Sequence, residues 1–164
     1  MRIERICVDG FGRLRDLDTG TESLGNLVVV LGPNEAGKST LFSFLTTSLY
    51  GFSPASRDTN PHVPWGSSEA GGRIHVSTSD EASLVVERRL RSSPAGTLMR
   101  GEGRLDLRNQ PLDLVHHVPR TVFRQVFAVT LAELAGLDDE TWSRIQDRIL
   151  GSMGASDLAS ARDV

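Results

Sequence analysis

The chain has 164 residues, 38% of them hydrophobic, with 18 basic against 21 acidic residues for a net charge of −3. This is the balance of a globular domain rather than a disordered chain. One cysteine, Cys7, excludes an internal disulfide framework. The longest apolar run, Leu27 to Leu31, falls far short of the about 20 residues that span a bilayer. The mild acidity gives no support to whole-surface nucleic-acid binding and leaves only a local basic patch. Met1-Arg2-Ile3-Glu4-Arg5 is broken by charge and unlike a signal peptide, so a cytoplasmic protein with no membrane partner is expected. Of the 18 basic residues 17 are arginine, and the single lysine is Lys38.

In chain order, Ile3 to Val8 alternates as a strand and Leu14 to Leu17 follows as a short return strand. Thr19 to Asn26 is turn-rich. Leu27-Val28-Val29-Val30-Leu31 has the profile of a strand buried on both faces. A glycine-containing loop, Gly32 to Gly37, comes next. Ser39 to Tyr50 is a predicted helix, with Leu41, Phe44, Leu45 and Leu49 at helical spacing and Gly51 as its stop. Ser53 to Gly72 is a long loop, a length that tends to carry function. Arg73 to Ser77 and Leu84 to Leu90 are predicted strands joined by a turn at Thr78 to Ala82. Leu98 to Arg100 and Arg104 to Leu107 suggest a second hairpin. Pro119 to Phe127 is a predicted helix opened by proline. Asp138 to Leu150 is another, capped by Asp138, stapled by Leu137 and Trp142, and striped by Trp142, Ile145 and Ile149. The whole is expected to form a single domain, residues 1–164.

One motif carries chemistry. Gly32-Pro33-Asn34-Glu35-Ala36-Gly37-Lys38-Ser39 satisfies G-x-x-x-x-G-K-S, the phosphate-binding P-loop. The glycines let the backbone curl, and its N–H groups then point inward as an anion-binding nest. The helix that follows adds the positive end of its dipole. The Lys38 ammonium is expected to reach the β- and γ-phosphates, and the Ser39 hydroxyl to ligate Mg2+. A chance match arises in roughly one chain in a hundred at ordinary residue frequencies. An apolar strand before the loop and an amphipathic helix after it are the context the motif requires.

Three stretches carry a family resemblance: Met1-Arg2-Ile3-Glu4-Arg5-Ile6, Gly10-Phe11-Gly12-Arg13-Leu14-Arg15-Asp16-Leu17, and Leu27 through Thr40. Together they resemble the N-terminus of the SMC/SbcC/RecF branch of ABC-type ATPases. Pro33-Asn34-Glu35-Ala36 and Leu49-Tyr50-Gly51-Phe52 most resemble its YhaN-like members. The likeness is strong over residues 1–52 and continues weakly through Gly71-Gly72-Arg73-Ile74 and Phe123 to Leu134. It implies an α/β fold, with a P-loop core beside an antiparallel β subdomain. It also implies ATP and Mg2+ as cofactors, held by Gly32, Pro33, Asn34, Glu35, Ala36, Gly37, Lys38, Ser39 and Thr40, with Arg13 near the nucleotide.

In that family the ATPase head is split, and a coiled coil and a C-terminal lobe follow the N-terminal one. No Asp-Glu strand end and no L-S-G-G loop occur here, and Leu84-Val85-Val86-Glu87 has a single acid. The resemblance therefore implies an N-terminal lobe of a DNA-repair or chromosome-maintenance ATPase. Its expected partners are its own C-terminal lobe, a second head, DNA and an SbcD-type nuclease. Alignment on Phe123 and Phe127 places Leu131 at the Q-loop glutamine. Gln125, six residues earlier, reads as a surface residue of a helix, and Thr130 or Glu133 are the nearby substitutes.

Other residues divide between roles. Arg15 is either a nucleotide contact or a solvated arginine on a hairpin, and Trp65 and His62 are candidates for regulation, for the nucleotide's edge or for local packing. Arg88, Arg89, Arg91, Arg100, Arg104 and Arg108 form either a DNA-facing surface or the polar face of a sheet. His116 and His117 are adjacent and cannot chelate one metal together on a helix. Two further readings stay open: a small stand-alone P-loop kinase whose lid those arginines imitate, and a nonhydrolysing nucleotide-binding module.

Overall fold

The computed structural model describes residues 1–80 and 82–124. The chain divides into a unit Met1–His116 and a second beginning at His117. The first unit holds β1 (Arg2–Phe11), β2 (Leu14–Asp18), α1 (Lys38–Tyr50), β3 (Ala70–Ser77), β4 (Ser83–Leu90), β5 (Pro94–Arg100), β6 (Gly103–Asp106) and a single 3-10 turn at Asp113–Val115. In the second, Arg120–Val122 begins a helix, α2, with Pro119 as its N-cap. The rest of the expected helix to Phe127 and the helix Asp138 to Leu150 lie outside the described residues. Among the described residues no helix is long and apolar enough to cross a membrane.

The six strands form one antiparallel sheet in the order β2-β1-β3-β4-β5-β6. Alternation decides its faces. On β4, Leu84, Val86, Arg88 and Leu90 are buried, while Val85, Glu87 and Arg89 are half-exposed. Ile74 and Val76 of β3 and Ile6 and Val8 of β1 complete the apolar set. Helix α1 contacts β3 and β4 and buries Leu41, Phe44 and Leu49. The close approach depends on Gly72: a Cβ there would meet the Phe44 ring at 2.9 Å. Thr46 and Ser48 are buried on α1, yet each hydroxyl donates to the carbonyl four residues back.

Two expectations change. Leu27 to Leu31 is not a buried strand. It pairs with no described strand, and Leu27 and Leu31 are 85% and 87% exposed. A run buried on both faces needs strands on either side and cover above and below. The described sheet is antiparallel and already has α1 on one face, so it offers neither. The antiparallel part of the expected α/β fold is what the described residues build. Leu27 to Leu31, the segment that leads into the P-loop, stands outside that sheet.

The arginine surface is also different. Arg88 is 1% exposed, pointing into the core on the α1 side. Among the described residues it faces no carboxylate. Its guanidinium donates to three backbone carbonyls: Ser48 at 3.2 Å, Arg108 at 3.3 Å and Gln110 at 2.7 Å. Burial lowers its pKa to about 10, which leaves it protonated at neutral pH. Ser48 lies in the last turn of α1, where carbonyls have no helical partner and the dipole is negative. Arg88 thus ties the helix end, β4 and the segment after β6 together. Leu112 adds to the tie by donating its N–H to the Leu49 carbonyl at 2.9 Å. On the opposite face Arg89 pairs with Asp9, Glu69 and Glu87, Arg91 with Glu69 and Arg104 with Glu87, and at the end of β5 Arg100 pairs with Asp80. This is a charge-compensated sheet face, neither a uniform basic surface nor a lid.

Arg88→Met should lower the unfolding free energy by about 2–4 kcal/mol, because it leaves three carbonyls without their donor. Urea denaturation followed by circular dichroism measures it.

Candidate functional site

The site begins at Phe11, the last residue of β1 and fully buried. Its ring packs edge-on against Phe44 of α1 at 5.4 Å, against Phe52 at 6.3 Å, and stacked on His62 at 4.5 Å. The chain turns immediately after it. Gly12 has φ 57, and its N–H donates to the His62 carbonyl at 2.5 Å. A Cβ at Gly12 would meet Thr40 Cγ2 at 2.8 Å. With Thr40 pressed against the turn, this chain has room only for glycine.

That turn delivers Arg13 to the P-loop. Its guanidinium donates to the Glu35 backbone carbonyl at 2.5 Å and lies 3.4 Å from the Glu35 carboxylate. Leu14, the next residue, supports Gly37: a Cβ on Gly37 would meet Leu14 Cδ2 at 2.8 Å. Gly37 is the N-cap of α1 with φ 98, and Glu35 has φ 66. The loop thus carries two left-handed residues, the kind of backbone conformation from which an anion nest is built. No side chain caps the N-terminus of α1, and its first turn carries no acid. Lys38 donates two of its protons to the loop carbonyls of Gly32 at 2.7 Å and Pro33 at 2.8 Å, which holds its ammonium over the loop.

Arg13, Asn34, Glu35, Lys38, Ser39 and Thr40 line a cavity of about 420 Å3 at this helix end. The structure therefore gathers the expected P-loop residues and Arg13 in one place. Gly32, Pro33 and Ala36 shape the loop: Pro33 accepts from the Ala36 N–H at 3.2 Å, and a Cβ on Gly32 would meet Ala36 Cβ at 3.0 Å. Arg15 does not join them. It turns to the other side and donates to the Trp65 carbonyl at 2.6 Å. The Q-loop candidates Gln125, Thr130, Leu131 and Glu133 lie outside the described residues. The donor set of backbone N–H groups, one ammonium and one hydroxyl is chemically suited to a polyphosphate with a magnesium ion.

His62 is half-buried against Phe11, and burial lowers its pKa below 6.5. Burial and then the nearby Arg5 and Arg73 lower that of His75. In both cases the unfolded chain binds the proton at a higher pH than the folded one. Stability is therefore complete above about pH 6.5 and falls as pH drops toward the folded-state values. The urea midpoint should be lower at pH 5.5 than at pH 7.5, with part of the difference removed in His62→Gln.

No curated protein matches the chain. A family model described as AAA domain matches residues 1–140, a span that contains every residue of the nest and of the turn that feeds it. The P-loop geometry and this match agree, and the chain belongs to that AAA domain family of P-loop ATPases.

Proposed function

We propose that this chain is the ATP-binding lobe of an SbcC/SMC-like ATPase of DNA repair or chromosome maintenance. The observation that carries nucleotide binding is the left-handed pair Glu35 and Gly37 beneath Lys38, at a helix N-terminus that no side chain caps. The loop N–H groups and the Lys38 ammonium bind phosphate oxygens, and the Ser39 hydroxyl holds the metal. When bound, ATP·Mg2+ would supply the triphosphate and a cation to offset its charge. Arg13 braces the loop through the Glu35 carbonyl.

Hydrolysis requires more than this lobe. Glu35 is the single carboxylate among the described residues lining the cavity, and Arg13 holds it. Leu84 to Glu87 is an ordinary strand of the antiparallel sheet, so it supplies no catalytic acid at the phosphates. The exposed apolar run Leu27 to Leu31 supports a C-terminal lobe as partner, since a strand of this composition is stable when other strands cover it. A second head would then close over the nucleotide. DNA and an SbcD-type nuclease enter through the family resemblance, because the arginines of β4 to β6 are paired with acids or buried.

Calorimetry with ATP·Mg2+ on the isolated chain should show one site without turnover. Lys38→Arg should weaken binding at least a hundredfold, about 2.8 kcal/mol, because a planar guanidinium does not fit where a compact ammonium sits. Unchanged affinity in that variant, with the fold intact by circular dichroism, would refute the reading. Turnover like that of a complete ATPase would refute the need for a second lobe.

A further inference from the structure

The loop between α1 and β3 is built around a second cavity. It has about 600 Å3 and is lined by Gly12, Arg13, Arg15, Thr40, His62 and Trp65, among others. Arg13 and Thr40 also line the P-loop cavity, so the two spaces adjoin across these side chains. The wall is well fixed. Asn60 is buried, donates to the Pro54 carbonyl at 2.6 Å and accepts the His62 N–H at 2.9 Å. His62 is stacked on Phe11 and bonded to the Gly12 N–H. Pro64 lies over Gly10, where a Cβ would meet its Cγ at 3.3 Å. Arg15 holds the Trp65 backbone by its carbonyl.

Against this fixed backbone the Trp65 side chain is the exception. It is 96% exposed, although a large aromatic ring normally buries most of its area. Packing gives no reason for tryptophan at this position. An exposed ring lining a cavity with two arginines, in a space that shares Arg13 and Thr40 with the phosphate cradle, has the chemistry of a stacking platform for a flat heterocycle.

We propose that the second cavity receives the base of the nucleotide whose phosphates occupy the P-loop, with Trp65 stacking on the base and Arg13 and Thr40 marking the sugar's passage between the two spaces. The proposal rests on the P-loop reading above and adds the site for the nucleoside half. Trp65 acts in binding and makes no contact with the reacting phosphates.

The test compares ATP with inorganic tripolyphosphate, both with Mg2+, by calorimetry on the full chain. Tripolyphosphate engages the P-loop and has no base. Trp65→Ala should weaken ATP about tenfold, within the range that base stacking on aromatic side chains supports. It should leave tripolyphosphate affinity unchanged, which also reports that the P-loop is intact. Trp65→Phe should recover most of the loss. If Trp65→Ala leaves the ratio of the two affinities as in the wild-type chain, the base site is wrong and the P-loop reading stands. If tripolyphosphate does not bind the wild-type chain, or binds equally to Lys38→Ala, the P-loop reading falls and the base site falls with it.

Discussion

The arrangement of the site depends on one buried ring. Phe11 ends β1 inside the core, and three partners close around it: Phe44 from α1, Phe52 just beyond that helix, and His62 from the long loop. Each partner belongs to a different piece of the site. Phe44 seats the helix whose N-terminus faces the phosphate cradle. His62 anchors the loop that walls the second cavity. The turn leaving Phe11 carries Gly12 against Thr40 and Arg13 against Glu35. Because interiors are close-packed, a shift of this ring would move all three together.

The opposite end of α1 is held by electrostatics. Its last carbonyls would be costly to bury without donors. Arg88 and the N–H of Leu112 supply them. A buried guanidinium usually seeks a carboxylate. Here three carbonyls share one cation, and the negative end of the helix dipole adds to them. The N-terminus has no such device, since neither a capping side chain nor an acid stands there. The helix is thus closed at one end and left receptive at the other. Ligand binding at the N-terminus would complete what the chain itself completes at the C-terminus.

Much of this was legible in the sequence. Gly37-Lys38-Ser39 located the cradle, because only a few residue types tolerate its dihedrals and its chemistry. The strands β1 to β4 and the helix α1 appear close to where hydrophobic period placed them. Arg88 was legible too. In Leu84-Val85-Val86-Glu87-Arg88-Arg89-Leu90 the buried face takes every second residue, and Arg88 falls in phase with Val86 and Leu90. Its charge suggested a surface role, and the alternation was the better guide. The likeness of Gly10 to Arg15 to known ATPases placed Arg13 near the nucleotide but gave no reason for Gly12.

By itself, then, the sequence determined the local elements and the identity of the phosphate-binding loop, because backbone dihedrals, capping and hydrophobic period are set within a few residues. Three matters were decided only by the tertiary structure. Leu27 to Leu31 reads as a buried strand, but burial depends on neighbours, and the described sheet supplies none. The arginines of β4 to β6 read as a basic surface. Asp9, Glu69, Glu87 and Asp80 cancel most of their charge from distant points in the chain. The exposed ring of Trp65 lines the cavity at the turn after β1 because Arg15, Pro64 and Asn60 fold its loop back onto that turn. Each depends on contacts between residues far apart in sequence, which no local pattern encodes.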